Sequence, residues 1–202
     1  KIDKSIEPRS LVEYRAQADS CYANADLTVK DDIRAGLLFE QGFVCAYCMD
    51  RIHIDNMKIE HWACQSNPQT SVLQLSYSNL LGCCMGNQGK PFKHQTCDTR
   101  KGNSSISYSP SNPEDRIDLK VRFLPDGMIV SDIPDFNQEL NNVLNLNLPR
   151  LVSNRLAVIK SIQKVLHQNK RTITRQQLNN LIRRVSAKDG ANKLQPFFEV
   201  KV

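Results

Sequence analysis

Lys58-Ile59-Glu60-His61-Trp62 closes a β-prone run with a carboxylate directly followed by a histidine. Such a pair lets one side chain hold a divalent cation while its neighbour takes a proton from water. Just upstream lies Cys45-x-x-Cys48, and downstream come Asn79-Leu80-Leu81, then Cys84, then Cys97-Asp98-x-x-Lys101. The order and spacing of these pieces, rather than any single one, carry the reading.

Seven cysteines stand at positions 21, 45, 48, 64, 83, 84 and 97. Clustered around a C-x-x-C pair in a reducing compartment, they point to metal rather than disulfides. Thiolates are soft donors suited to a closed tetrahedral site, so Cys45, Cys48, Cys84 and Cys97 are expected to hold a structural Zn²⁺. Cys83 and His94 remain alternative ligands. Hard oxygen donors suit a hard cation that keeps its waters, so Glu60 and Asp98 are the candidates for a catalytic Mg²⁺ or Mn²⁺. Asp98 has a competing role as a helix N-cap. His61, whose neutral imidazole accepts a proton near pH 7, is the candidate general base. The Asn79 amide is expected to fix the loop carrying His61. Lys90, Lys93, Arg100 and Lys101 lie near this set in sequence and are candidate phosphate contacts, with plain surface charge as the alternative.

The chain has 202 residues, enough for one compact domain or a small domain with helical elaborations. Lys+Arg of 27 against Asp+Glu of 21 gives a net charge of +6 and a pI near 9.0. That balance favours polyanionic partners. No apolar run is long enough to span a bilayer, and residues 1–10 lack the apolar core of a signal peptide, so a cytoplasmic location and no membrane partner are expected.

Helical spacing predicts helices over 10–20 and 29–41, with Gly42 as the stop of the second. Residues 51–54 and 57–60 flank Asp55-Asn56 and predict a hairpin. A short helix is expected from about Thr96 to Lys101. After a serine-rich connector at 103–113, Asp126-Gly127 between 117–125 and 128–131 predicts a second hairpin. Helices follow at roughly 136–145, 150–168 and 174–187. Their apolar stripes, Leu151, Leu156, Ile159, Ile162 and Leu166, then Leu178, Leu181, Ile182 and Val185, read as core. A basic segment including Lys160, Lys164, His167, Lys170, Arg171, Arg175, Arg183 and Arg184 offers a track for nucleic acid or a face for a partner protein.

C-A-Y-C at 45–48, I-E-H-W at 59–62, N-L-L-G-C-C at 79–84 and C-D-T-R-K-G at 97–102 together resemble the HNH endonucleases of the ββα-metal class. The leading L-L-F-E-Q-G-F-V-C-A-Y-C at 37–48, the Asp126-Gly127 hairpin and L-N-L-N-L-P-R-L-V-S-N-R at 144–155 are similar to a narrower group. That group is the PtuB-like nucleases of Septu-type and retron-linked antiphage systems. The resemblance implies an α+β protein with a zinc-stapled ββα-metal core at 43–104, an N-terminal helical cap at 1–42, and a hairpin with a C-terminal helical lobe at 105–202. By position, His61 matches the family's base, Glu60 its metal carboxylate and Asn79 its central asparagine. Asp98 stands where many members carry histidine or asparagine, and the 85–96 stretch exceeds the common two-residue spacing between the last two cysteines.

The resemblance also implies an effector nuclease working with an ABC/SMC-like ATPase of the PtuA type and, in retron-linked versions, with a reverse transcriptase and its msDNA. DNA is the leading substrate and RNA, for instance tRNA, the alternative. A zinc-stabilised binding module without catalysis is the competing class.

Overall fold

The computed structural model describes residues 1–168 and 174–201. Two helices open the chain, α1 (Arg9–Arg15) and α2 (Leu27–Gln41), and pack on each other. The Asp26 carboxylate accepts the Val29 N–H at the start of α2, satisfying one of the donors a helix leaves free. Gly42 ends α2 with φ at 63°, the left-handed conformation that glycine adopts at no steric cost. Val29, Ile33, Leu37 and Leu38 are buried, as their spacing predicts.

The chain is α+β with two small antiparallel sheets. In the first, β1 (Met57–His61) pairs with β2 (Leu80–Cys84), Met57 opposite Cys84 and His61 opposite Leu80. This corrects the expected hairpin. Residues 54–56 form a single tight helical turn, and the 51–54 run contributes only a bridge from Arg51 to Val44. Arg51 is committed elsewhere, its guanidinium donating to the carbonyls of Gly42, Phe43 and Leu194. The nearest free apolar run is Leu80–Cys84, whose first four residues are buried.

Gln41, the last residue of α2, stands in for a third strand beside β2. Its Nε2 donates to the carbonyls of Val44 and Gly82 at 2.9 and 2.8 Å, and its Oε1 accepts the Gly82 N–H at 2.7 Å. An added Cβ at Gly82 would lie 3.0 Å from the Met57 methyl and 3.2 Å from the Gln41 amide, so a larger residue there would press on both side chains. Gln41→Ala strands the buried Gly82 N–H and the Val44 carbonyl, for an expected loss of about 2–4 kcal/mol. Urea denaturation reads this directly, and a loss under about 1 kcal/mol would remove the role.

The short helix α3 (Cys97–Lys101) follows. The second sheet is β3 (Arg122–Phe123) with β4 (Ile129–Val130), closed at Gly127 by a Gly127 N–H to Leu124 bond of 2.8 Å. It is shorter than expected, since 117–119 form a helical turn rather than strand. Then come α4 (Pro134–Gln138), which widens into a π turn over Glu139–Val143, α5 (Pro149–Gln168) and α6 (Arg175–Ser186).

Of the α5 stripe only Leu151 is fully buried. No residue of α6 is buried, and Leu178 is 41 % exposed, so the α6 stripe is not core. Lys170 and Arg171 lie outside the described residues. The buried core is one cluster running from Leu11 through Leu80 and Leu81 to Phe136, Leu151 and Phe197. No described helix is long and apolar enough to cross a membrane.

Candidate functional site

The turn after α2 places the first two cysteines. Cys45 donates its N–H to Asp50, Met49 returns one to Cys45, and Met49 sits at a φ of 63° to let the chain fold back. The Ala46 N–H donates to the Gly82 carbonyl and ties this turn to β2. Cys84 ends β2 and Cys97 opens α3, its own N–H held by the Leu144 carbonyl at 2.9 Å. The four sulfurs of Cys45, Cys48, Cys84 and Cys97 all lie within 4.8 Å of one another. Cys45 and Cys97 are 3.9 Å apart and Cys48 and Cys84 3.8 Å.

A tetrahedron with Zn–S bonds of about 2.3 Å has sulfurs roughly 3.8 Å apart. The cluster therefore fits a four-coordinate soft divalent metal. Neighbouring strand residues leave from opposite faces, and Cys84 is the one brought to the cluster. Cys83 is fully buried outside it, where burial raises its pKa. His94 is exposed and takes no part in the cluster.

The same alternation separates Glu60 from His61. Glu60 leaves β1 on the face covered by α3, where Lys101 Nζ is 2.8 Å from its Oε1 and Tyr47 Oη donates to the same oxygen at 2.9 Å. Only 4 % of Glu60 is exposed. Burial and a carboxyl–carboxyl hydrogen bond with Asp98 push its pKa up to about 8, against the pull of Lys101. Burial beside Glu60 also raises Tyr47 well above the phenol range, which keeps it a donor. Asp98 pairs with Lys58 at 3.2 Å. It lies inside α3 rather than at its N-cap, which is Thr96.

His61 leaves on the other face. Its Nε2 is 2.9 Å from the Gln74 carbonyl, and its ring meets Tyr22 edge-on with centroids 4.4 Å apart. A carbonyl oxygen only accepts, so this contact puts the ring proton on Nε2 and leaves the Nδ1 lone pair as the base. Burial lowers the His61 pKa, opposed by the Gln74 bond and by the charge of Asp98, so the ring is neutral near pH 7.

Asn79 clamps the loop that follows β1. Its Oδ1 accepts the Ala63 N–H at 2.8 Å, and its Nδ2 donates to the carbonyls of Ala63 and Leu73 at 3.0 and 3.3 Å. The Trp62 N–H donates to the Asn79 carbonyl. Both ends of the segment carrying Gln74 are thereby fixed relative to His61.

The basic candidates divide. Lys90 and Lys93 are exposed. Arg100 donates to the carbonyls of Phe92 and Asn142 and lies 3.6 Å over the Phe92 ring. Lys101 differs from the expected surface placement: its side chain is fully buried, pairing with Glu60 and donating to the His61 carbonyl at 3.3 Å. Tyr22, Tyr47 and the Gln74 carbonyl join the site without having been singled out. Tyr47 had a signal, its place inside the C-x-x-C turn, whereas a backbone carbonyl leaves none. Compared with known proteins, the sequence matches no family model and no curated protein.

Proposed function

We propose that the chain is a metal-dependent phosphodiesterase of the HNH type, built on a zinc-stapled ββα-metal core. The single observation carrying this reading is the His61 Nε2 contact to the Gln74 carbonyl, which turns an Nδ1 lone pair into an oriented base. His61 takes the proton of the attacking water at Nδ1. Asp98 and Glu60 would supply oxygen ligands to Mg²⁺ or Mn²⁺, Glu60 once released from Lys101, and such a cation would stabilise charge on the phosphate and the leaving oxygen. Asn79 holds the loop on which Gln74 lies. Exposed Lys90 and Lys93 on the loop before α3 serve the phosphate backbone. DNA is the proposed substrate, in an antiphage complex with an ABC/SMC-like ATPase.

The reading is tested with zinc-loaded protein on supercoiled plasmid and total tRNA, each with added Mg²⁺ or Mn²⁺, with and without the ATPase. Plasmid nicking that needs the added cation is the expected result. Loss of tRNA alone makes the chain an RNase of the same chemistry.

A second reading is supported by the Glu60 environment: a carboxylate already holding Lys101 and Tyr47 behaves as a structural ion pair inside a zinc-stabilised binding module. Intact polymers under every condition overturn the enzyme in favour of that module.

A further inference from the structure

Arg155 is the largest fully buried side chain among the described residues, 1 % exposed. Its Nε donates to the Gly127 carbonyl at 2.6 Å, and its Nη2 donates to the Leu146 carbonyl at 2.8 Å and to Asn147 Oδ1 at 3.1 Å. These partners take three of its five N–H protons and carry no charge, and among the described residues no carboxylate pairs with it. An arginine does not shed its proton to escape burial as a lysine does. A buried cation without a counter-ion is costly enough that something nearby should balance it.

What lies nearby is the cysteine cluster. The 144–147 turn binds Cys97 and Thr96 through the Leu144 carbonyl and binds Arg155 through Leu146 and Asn147. Burial lowers the Arg155 pKa to about 10, and the two influences that oppose this are the charges of Cys48 and Cys97. Five residues earlier on the same helix, Arg150 is half-exposed, pairs with Asp50 at 2.8 Å, and also feels Cys48 and Cys84. A divalent cation held by four thiolates keeps two net negative charges.

We propose that α5 supplies the countercharge of a tetrathiolate metal centre, through Arg155 from the buried side and Arg150 from the solvent side. Both are positioning residues: they touch no substrate and act through the thiolates. The arrangement makes folding of the α5 segment and metal retention one coupled event. It rests on the cysteine cluster holding a divalent metal and is independent of the nuclease reading.

The test is Zn²⁺ affinity by competition with a chromophoric chelator, together with thermal unfolding of the zinc-loaded and metal-free forms. Zinc content of the wild type comes first, and a wild type that retains no zinc overturns the metal site itself. With zinc retained, Arg155→Met is expected to weaken Zn²⁺ binding by about 10–100-fold, as loss of outer partners does. Arg155→Lys, which keeps the charge, should recover most of it. Arg150→Gln, on the surface and safe for folding, should weaken binding by about threefold and more at low than at high salt.

A purely structural Arg155 predicts something else: equal falls in the melting temperature of both forms and unchanged affinity. That result overturns the proposal, as does an Arg155→Lys variant binding as weakly as Arg155→Met. Should Arg155→Met fail to fold, Arg150→Gln decides, and wild-type affinity in that variant at low salt overturns the proposal.

Discussion

His61→Ala is expected to lower the cleavage rate by roughly 10²–10⁴-fold while the protein stays folded and keeps its zinc. The imidazole is buried against Tyr22 and the Gln74 carbonyl, so its removal also leaves a small cavity and one carbonyl without its donor. That structural cost, about 1–3 kcal/mol, is small beside what a structural metal on the cysteine cluster would contribute. His61→Gln separates the two roles. A glutamine amide replaces the N–H donor to Gln74 but has no lone pair able to take a proton at neutral pH. If His61 is the base, His61→Gln melts close to wild type yet cuts as poorly as His61→Ala. If the histidine only holds the loop, His61→Gln cuts normally, and that outcome removes His61 from the chemistry. Cleavage is read on plasmid with Mg²⁺, beside a melting curve of each variant.

The parts legible in the sequence are those governed by local rules. The C-terminal end of α2 followed from a glycine stop, while its start lies two residues earlier than the apolar spacing gave, at Leu27 behind the Asp26 cap. The Asp126-Gly127 hairpin followed from turn chemistry, and the four clustered cysteines followed from a C-x-x-C turn and soft-ligand preference. The partner of β1 was not legible, because pairing Met57–His61 with Leu80–Cys84 is a non-local choice, decided by burial of β2 and by the prior commitment of Arg51. Two buried cations were hidden for a related reason. Lys101 and Arg155 read as surface residues in a sequence, where their partners, Glu60 in one case and a ring of carbonyls in the other, are invisible. The separation of Glu60 and His61 onto opposite faces was implicit in the strand alternation. Its consequence needed α3, which covers one face and seals Glu60 behind Lys101.

Cys97→Ser should be the most damaging single change to stability. Cys97 joins three parts of the chain: its sulfur lies 3.9 Å from that of Cys45, its N–H holds Leu144, and it starts the helix that carries Asp98 and Lys101. Structural zinc contributes on the order of 10 kcal/mol to small domains, comparable to the whole stability of a typical one. Loss of one thiolate forfeits most of that, because a serine hydroxyl is neither deprotonated nor soft enough to replace it. The expected result is a protein with no retained zinc and no cooperative melting transition, reproduced in the wild type by a strong chelator. Cys83 is the internal control. It is as deeply buried, 0 % exposed, yet is not one of the four clustered sulfurs, so Cys83→Ser should cost about 1–3 kcal/mol for a buried hydroxyl and leave the zinc content unchanged. Similar modest losses for both variants, with zinc absent from the wild type, would show that the cysteines are packed as small apolar residues. A collapse confined to Cys97→Ser ties folding to the metal.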